Sequence, residues 1–175
     1  MSGDEESPRR PIDLTQLGIK ELMQVEAGII RELKRRSLVR TANKPVGDIA
    51  EQIVLKARGG LIEPNSTKSH DITTTSGQRI QVKGMTYRAS GVSGKFSPFR
   101  SWDFGSAVFL VFNSESFDID EAYEADPEPL LSGTRFSPHT NGRQPTLRQV
   151  RAIGRDITGE MREAFALLDH EGAQQ

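Results

Sequence analysis

Six consecutive apolar residues, Ala107-Val108-Phe109-Leu110-Val111-Phe112, constrain this chain more than any other feature. A strand sends alternate side chains to opposite faces. An unbroken apolar run therefore predicts a central strand buried on both sides. Each side must then be covered by other elements, which argues for an α/β protein with helices packed around a sheet. The run is far short of the roughly 20 apolar residues that cross a bilayer, and no longer one exists. A chain of 175 residues fits one domain, expected over 13–169. Polar residues 1–12 read as a disordered tail with no leader character, and 170–175 as a second tail. Cysteine is absent, which excludes disulfides, thiol catalysis and thiolate-bound zinc and fits a cytoplasmic protein.

Helical periodicity brackets the strand. Leu22, Val25, Ile29 and Leu33 predict a helix within 13–40, with Lys34, Arg35, Arg36 and Arg40 suiting the negative end of its dipole. After Asn43-Lys44-Pro45, a second helix is expected from about Gly47 to Arg58, stopped by Gly59-Gly60. Its buried stripe is Val46, Ile49, Ala50, Ile53, Val54 and Ala57, and Glu51 falls on the flank. The core is expected over 45–125. A last helical region is expected over 146–169, opened by Thr146 and interrupted at Gly154.

Between helix and central strand lies a hairpin whose register can be derived. Asp71-Ile72-Thr73-Thr74 and Gln78-Arg79-Ile80-Gln81-Val82-Lys83 both alternate polar and apolar residues. Ile72 must share a face with Ile80 and Val82, which requires an odd-length loop. Thr75-Ser76-Gly77 supplies one, with glycine where a left-handed residue is needed. Thr74 then opposes Gln78, Ile72 opposes Ile80, and Asp71 opposes Gln81. Asp71, Gln81 and Lys83 share the polar face. Gly84 to Ser101 reads as a long cationic loop, functional or disordered. Phe117 to Ala125 reads as a partly exposed strand whose acids discourage edge pairing.

Charge is unevenly spread although the net is −1. From Lys56 to Arg100 the cations are Lys56, Arg58, Lys68, Arg79, Lys83, Arg88, Lys95 and Arg100, against Glu63 and Asp71 alone. Ser101 to Gly133 carries acids but no Lys or Arg. One side can thus attract an anion. Lys68, Ser69, Arg88, Lys95 and Arg100 are candidate nucleic-acid contacts, with Ser66 and Thr67 as hydroxyl donors. Trp102 and Phe104 read as core, and His70 as a strand-end residue near the polar face.

A carboxylate, an amide and a lysine on one strand face are parts for phosphodiester hydrolysis. Hard divalent ions take oxygen ligands. Asp71, the Gln81 amide and the Val82 backbone carbonyl can supply them, Glu51 can add a carboxylate or hold a water, and Lys83 can orient that water and offset phosphate charge. Asp71 followed by Gln81-Val82-Lys83, with Gly47-Asp48-Ile49-Ala50-Glu51 upstream, resembles the PD-(D/E)xK nuclease superfamily over roughly Gly47 to Val111. The glutamine form is similar to Mrr-like endonucleases and to uncharacterised bacterial domains of that superfamily.

The resemblance implies a restriction-endonuclease-like mixed sheet flanked by helices. It implies an Mg²⁺- or Mn²⁺-dependent endonuclease acting on DNA, of restriction or repair type, with no organic cofactor and no membrane partner, and it leaves a homodimer open. By the match, Asp71 and Glu51 are the acids, Gln81 takes the second-ligand position and Lys83 is the catalytic lysine. Gln81 is neutral, which removes one negative charge from the metal site. An inactive DNA-binding module of the same fold therefore remains an alternative, as does an interaction domain using the acidic strip from Asp118 to Glu128.

Overall fold

In the computed structural model, which describes residues 12–40, 45–64, 69–87, 94–114 and 116–173, two helices precede the first strands. They are α1 (Ile19–Arg35) and α2 (Val46–Arg58). There follow β1 (Leu61–Ile62), β2 (Ile72–Thr73), β3 (Arg79–Tyr87), β4 (Ser106–Asn113) and β5 (Ile119–Ala125). The C-terminal part comprises α3 (Pro127–Gly133), β6 (Phe136–Ser137), β7 (Gly142–Arg143), α4 (Leu147–Ile153), β8 (Arg155–Asp156) and α5 (Thr158–Ala173). Six strands form one mixed sheet in the order β1-β2-β3-β4-β5-β8, and β6 pairs β7 separately. Only β3 and β4 run parallel; the other pairs are antiparallel. The expectations for residues 1–11 and for Ser66 and Thr67 lie outside the described residues.

The apolar run is the middle of this sheet. Val108, Leu110 and Phe112 pack on one side with Ile49, Ala50, Ile53 and Val54 of α2 and Met161 and Ala164 of α5. Ala107, Phe109 and Val111 pack on the other side with Phe96, Phe99, Phe104, Leu130, Leu147 and Val150. Two cores back to back explain why β4 has no polar alternation: every residue from Ser106 to Phe112 is buried.

Local signals end the helices where the sequence places them. Gly59 caps α2 at φ 70°, donating its N–H to the Leu55 carbonyl at 2.8 Å. Thr146 caps α4 through a reciprocal bond pair with Gln149. Helix α1 is shorter than the 13–40 segment. Ser37, at φ 57°, turns the chain back, and Leu38 N–H bonds the Leu33 carbonyl. This left-handed cap sends Val39 into the core, 4% exposed.

Three readings of the sequence need correction. Strand β3 does not stop at Lys83 but runs to Tyr87, because β4 pairs with it in parallel from Ile80 to Tyr87. The described part of the downstream segment, from Gly94, is no free loop either: Phe96 and Phe99 are core residues, and backbone bridges tie Lys95 to Thr146 and Phe99 to Arg143. Strand β5 is not an edge, because β8 covers it. Two acids of the strip serve this closure: Glu121 pairs with Arg151, and Glu124 with Arg58 and Arg155. The stretch from Asp126 to Pro145 contains α3 and the β6–β7 ribbon.

Gly84 brings α2 against the sheet. A Cβ there would lie 2.9 Å from the Ala50 Cβ and 3.1 Å from the Val46 carbonyl. Gly84→Ala is expected to push the first turns of α2 off β3 and to lower stability by about 1–3 kcal/mol, read by urea denaturation. An unchanged denaturation midpoint would show that the helix yields without cost.

Candidate active site

From Ile72 to Thr74 the hairpin register is the derived one, while Asp71, expected opposite Gln81, bonds its N–H to the Ile80 carbonyl instead. Ile72 opposes Ile80 and Thr73 opposes Arg79, Thr74 N–H bonds the Gln78 carbonyl at 2.9 Å, and Gly77 is left-handed at φ 84°. Strand β2 begins at Ile72, so Asp71 lies just before it. The Asp71 backbone is held from both sides, donating to the Ile80 carbonyl at 2.9 Å and accepting from Glu63 N–H at 2.8 Å. Its side chain turns to β3. Oδ2 accepts from Gln81 Nε2 at 2.6 Å and from Val82 N–H at 2.7 Å. Among the described residues no donor reaches Asp71 Oδ1 or Gln81 Oε1. A strand residue aims its N–H and C=O to the same side, so the Val82 carbonyl also faces the start of β2.

Lys83 projects on the Gln81 side of β3, over the second core. Its Nζ lies 3.4 Å from the Pro98 carbonyl and 4.9 Å from the Phe99 ring centroid. Burial pushes its pKa down, opposed by the Asp71 charge. Arg100 acts in the same downward direction. Burial pushes Asp71 up, against the Val82 N–H and the charges of Lys83 and Arg40.

Glu51 completes the group from α2. Close packing at Gly84 brings the helix in, and the Glu51 side chain is only 14% exposed. Its pKa is pushed up to about 7, first by burial and then by the nearby Asp71 charge, while Arg40 opposes the shift. Glu51 thus feels the Asp71 charge, and both acids carry a desolvation cost as anions. A divalent cation relieves both effects.

Oxygen donors of this type (two carboxylates, an amide oxygen and a backbone carbonyl) fit a hard divalent ion. No group of three or more His, Cys, Asp and Glu residues at metal spacing exists among the described residues. An ion here would depend on the neutral donors.

One residue was missed. Arg40 was read with Lys34, Arg35 and Arg36 as a charge at a helix end. Its guanidinium instead pairs with Glu51 and bonds the Glu63 carbonyl at 2.9 Å, while its backbone N–H donates to Asp48 Oδ2 at 2.8 Å. Residues 37–102 match the family model of a PD-(D/E)XK nuclease superfamily domain. The matched segment holds α2, β1, β2 and β3, and with them Arg40, Glu51, Asp71, Gln81 and Lys83. The six-stranded mixed sheet with its flanking helices is an α/β fold consistent with the restriction-endonuclease-like fold of that superfamily. PD-(D/E)XK nucleases generally use divalent metals, and nucleic acid is the substrate class that the superfamily suggests. No curated protein matches the chain.

Of the other candidates, Lys95 and Arg100 are exposed. Ser69 is partly buried, with its hydroxyl 2.7 Å from His70 Nδ1. The other ring nitrogen of His70 lies 3.0 Å from the Thr73 hydroxyl, so this histidine braces the strand entry beside Asp71. Lys68 and Arg88 lie outside the described residues. Phe104 is core, and Trp102 packs against it with Phe99. No described helix is long and apolar enough to cross a membrane.

Proposed function

We propose that this protein is a metal-dependent nuclease that hydrolyses DNA phosphodiester bonds. Asp71, Glu51, the Gln81 amide oxygen and the Val82 carbonyl would hold Mg²⁺ or Mn²⁺. The ion, when bound, supplies Lewis acidity and lowers the pKa of water. The protein's own groups do the rest. Gln81 and Val82 N–H fix the rotamer of Asp71, leaving its second oxygen for a ligand. Glu51 would add a carboxylate to the ion or hold a water bound to it. Lys83 orients that water and offsets charge developing on the phosphate. Lys95 and Arg100, exposed on the segment that also covers Lys83, would engage flanking phosphates, so binding should weaken with salt.

The observation that carries this reading is the convergence of Glu51 with Asp71. Helix α2, seated on β3 at Gly84, brings Glu51 close enough to Asp71 that the Asp71 charge disfavours ionisation of Glu51. Supercoiled plasmid incubated with the purified chain and Mg²⁺ or Mn²⁺ should be nicked or linearised. Asp71→Asn should abolish this, and cleavage persisting in that variant would assign the activity elsewhere. The alternative of a binder without turnover draws on Arg40 and Lys83, which already balance the two acids. It expects salt-sensitive DNA binding and no cleavage with either ion.

A further inference from the structure

We propose that Arg40 is a positioning residue that holds the Glu51 carboxylate in the site and is exchanged for the divalent ion when the ion binds. The inference rests on the metal-dependent reading above and concerns how that site is controlled. It starts from three contacts. The Arg40 guanidinium pairs with Glu51 Oε2 and reaches the Glu63 carbonyl, and its backbone N–H is held by Asp48. Helix α2, the segment after α1, and the β1–β2 connection thus meet at one guanidinium. Glu63 N–H in turn bonds the Asp71 carbonyl, so the clamp reaches the backbone of the second acid through one residue.

The Arg40 guanidinium places a full positive charge beside the acids. Its charge favours the ionised form of both Asp71 and Glu51. That is useful in holding them ready, but it opposes a second cation on the same oxygens. The two effects have opposite consequences for metal affinity.

The exchange is sterically open. Val39, not Arg40, is the buried anchor of this segment, and the Arg40 side chain is 30% exposed. The guanidinium can move to solvent without opening either core. The neighbouring cations of α1 do not take this place: Lys34 and Arg35 are exposed, and Glu32 pairs with Arg35 and Arg36.

The test is Mn²⁺ binding to the whole protein at pH 8, read from the free-ion resonance by electron paramagnetic resonance, with no DNA present. Arg40→Gln should bind Mn²⁺ roughly tenfold more tightly than the unaltered protein, as expected from removing a unit charge a few ångströms from the ion in a partly screened site. Its thermal midpoint should be lower without Mn²⁺ and should rise further on adding it. A role limited to bracing Glu51 predicts the reverse, weaker binding, and that result or an unchanged affinity overturns the proposal. Arg40→Lys serves if the glutamine variant does not fold. Lysine retains a charge but cannot span Glu51 and the Glu63 carbonyl, so its affinity should rise less, and a fall overturns the proposal equally. Asp71→Asn separates the two levels. If Mn²⁺ binding ignores Asp71→Asn, the metal site itself is misassigned. If binding needs Asp71 yet Arg40→Gln does not tighten it, only the Arg40 exchange fails.

Discussion

Lys83→Met is expected to slow DNA cleavage by roughly 10²–10⁴-fold while leaving the protein folded, the size of effect usual for losing one positioned charged or proton-transferring group. The expectation follows from the lysine's surroundings. Its stem lies over Phe99, and its ammonium has only the Pro98 carbonyl within hydrogen-bond reach among the described residues. Burial already disfavours its charge, and Asp71 only partly compensates. A lysine kept in that position is unfavourable for stability alone, so methionine, with a similar unbranched stem, should leave the thermal midpoint equal or higher. Loss of turnover with no loss of stability is a combination that a packing role cannot produce. Lys83→Arg should not rescue activity, because the planar fork is larger and would collide with the wall formed by Pro98 and Phe99. Cleavage within tenfold of the unaltered protein in Lys83→Met would remove this residue from the chemistry.

What was legible in the sequence was local. The end of α2 at Gly59, the three-residue loop closed by Gly77, the start of α4 at Thr146 and its break at Gly154 all depend on a few neighbouring residues. So does the derived opposition of Ile72 and Ile80, because a one-residue slip would expose one of them. For the candidate site, the shared face of Gln81 and Lys83 follows from strand alternation and the flank position of Glu51 from helical phase, while Asp71 reaches Gln81 through its side chain. The hidden features are set by distant partners. Strand β3 continues past Gly84 because β4 lies beside it, and glycine at 84 conceals that continuation while serving the contact with Ala50. The acids of β5 look like edge protection until Arg151 and Arg155 arrive from some 30 residues away and Arg58 from α2. Arg40 was obscured for another reason. It follows three basic residues at a helix end, and only the left-handed Ser37 parts it from them. Serine carries no strong signal for that conformation.

Glu51→Gln is expected to make the metal-free protein more stable at pH 8, by about 3 kcal/mol, and to change it by less than about 1 kcal/mol at pH 5. The Glu51 carboxyl moves from an ordinary 4.5 up to about 7 in the folded chain. Below about 4.5 it is protonated whether folded or unfolded, and its stabilising contribution relative to the ionised state is fully present. Between about 4.5 and 7 the folded form retains a proton that the unfolded form has released. Each pH unit in that window therefore costs about 1.4 kcal/mol, and the loss is complete as pH passes the folded value. Glutamine cannot ionise, so the difference between variant and unaltered protein isolates this one group even though the raised Asp71 changes stability in the same direction. Urea denaturation at pH 5, 6, 7 and 8 with chelator present gives the curve directly. Adding Mg²⁺ at pH 8 should return most of the lost stability to the unaltered protein, because the ion replaces the proton as the partner of the two acids. The glutamine variant, with one carboxylate fewer, should gain less. If Glu51→Gln is instead the less stable protein at pH 8, the ion pair with Arg40 outweighs burial and repulsion from Asp71, and Glu51 serves the fold rather than a cation.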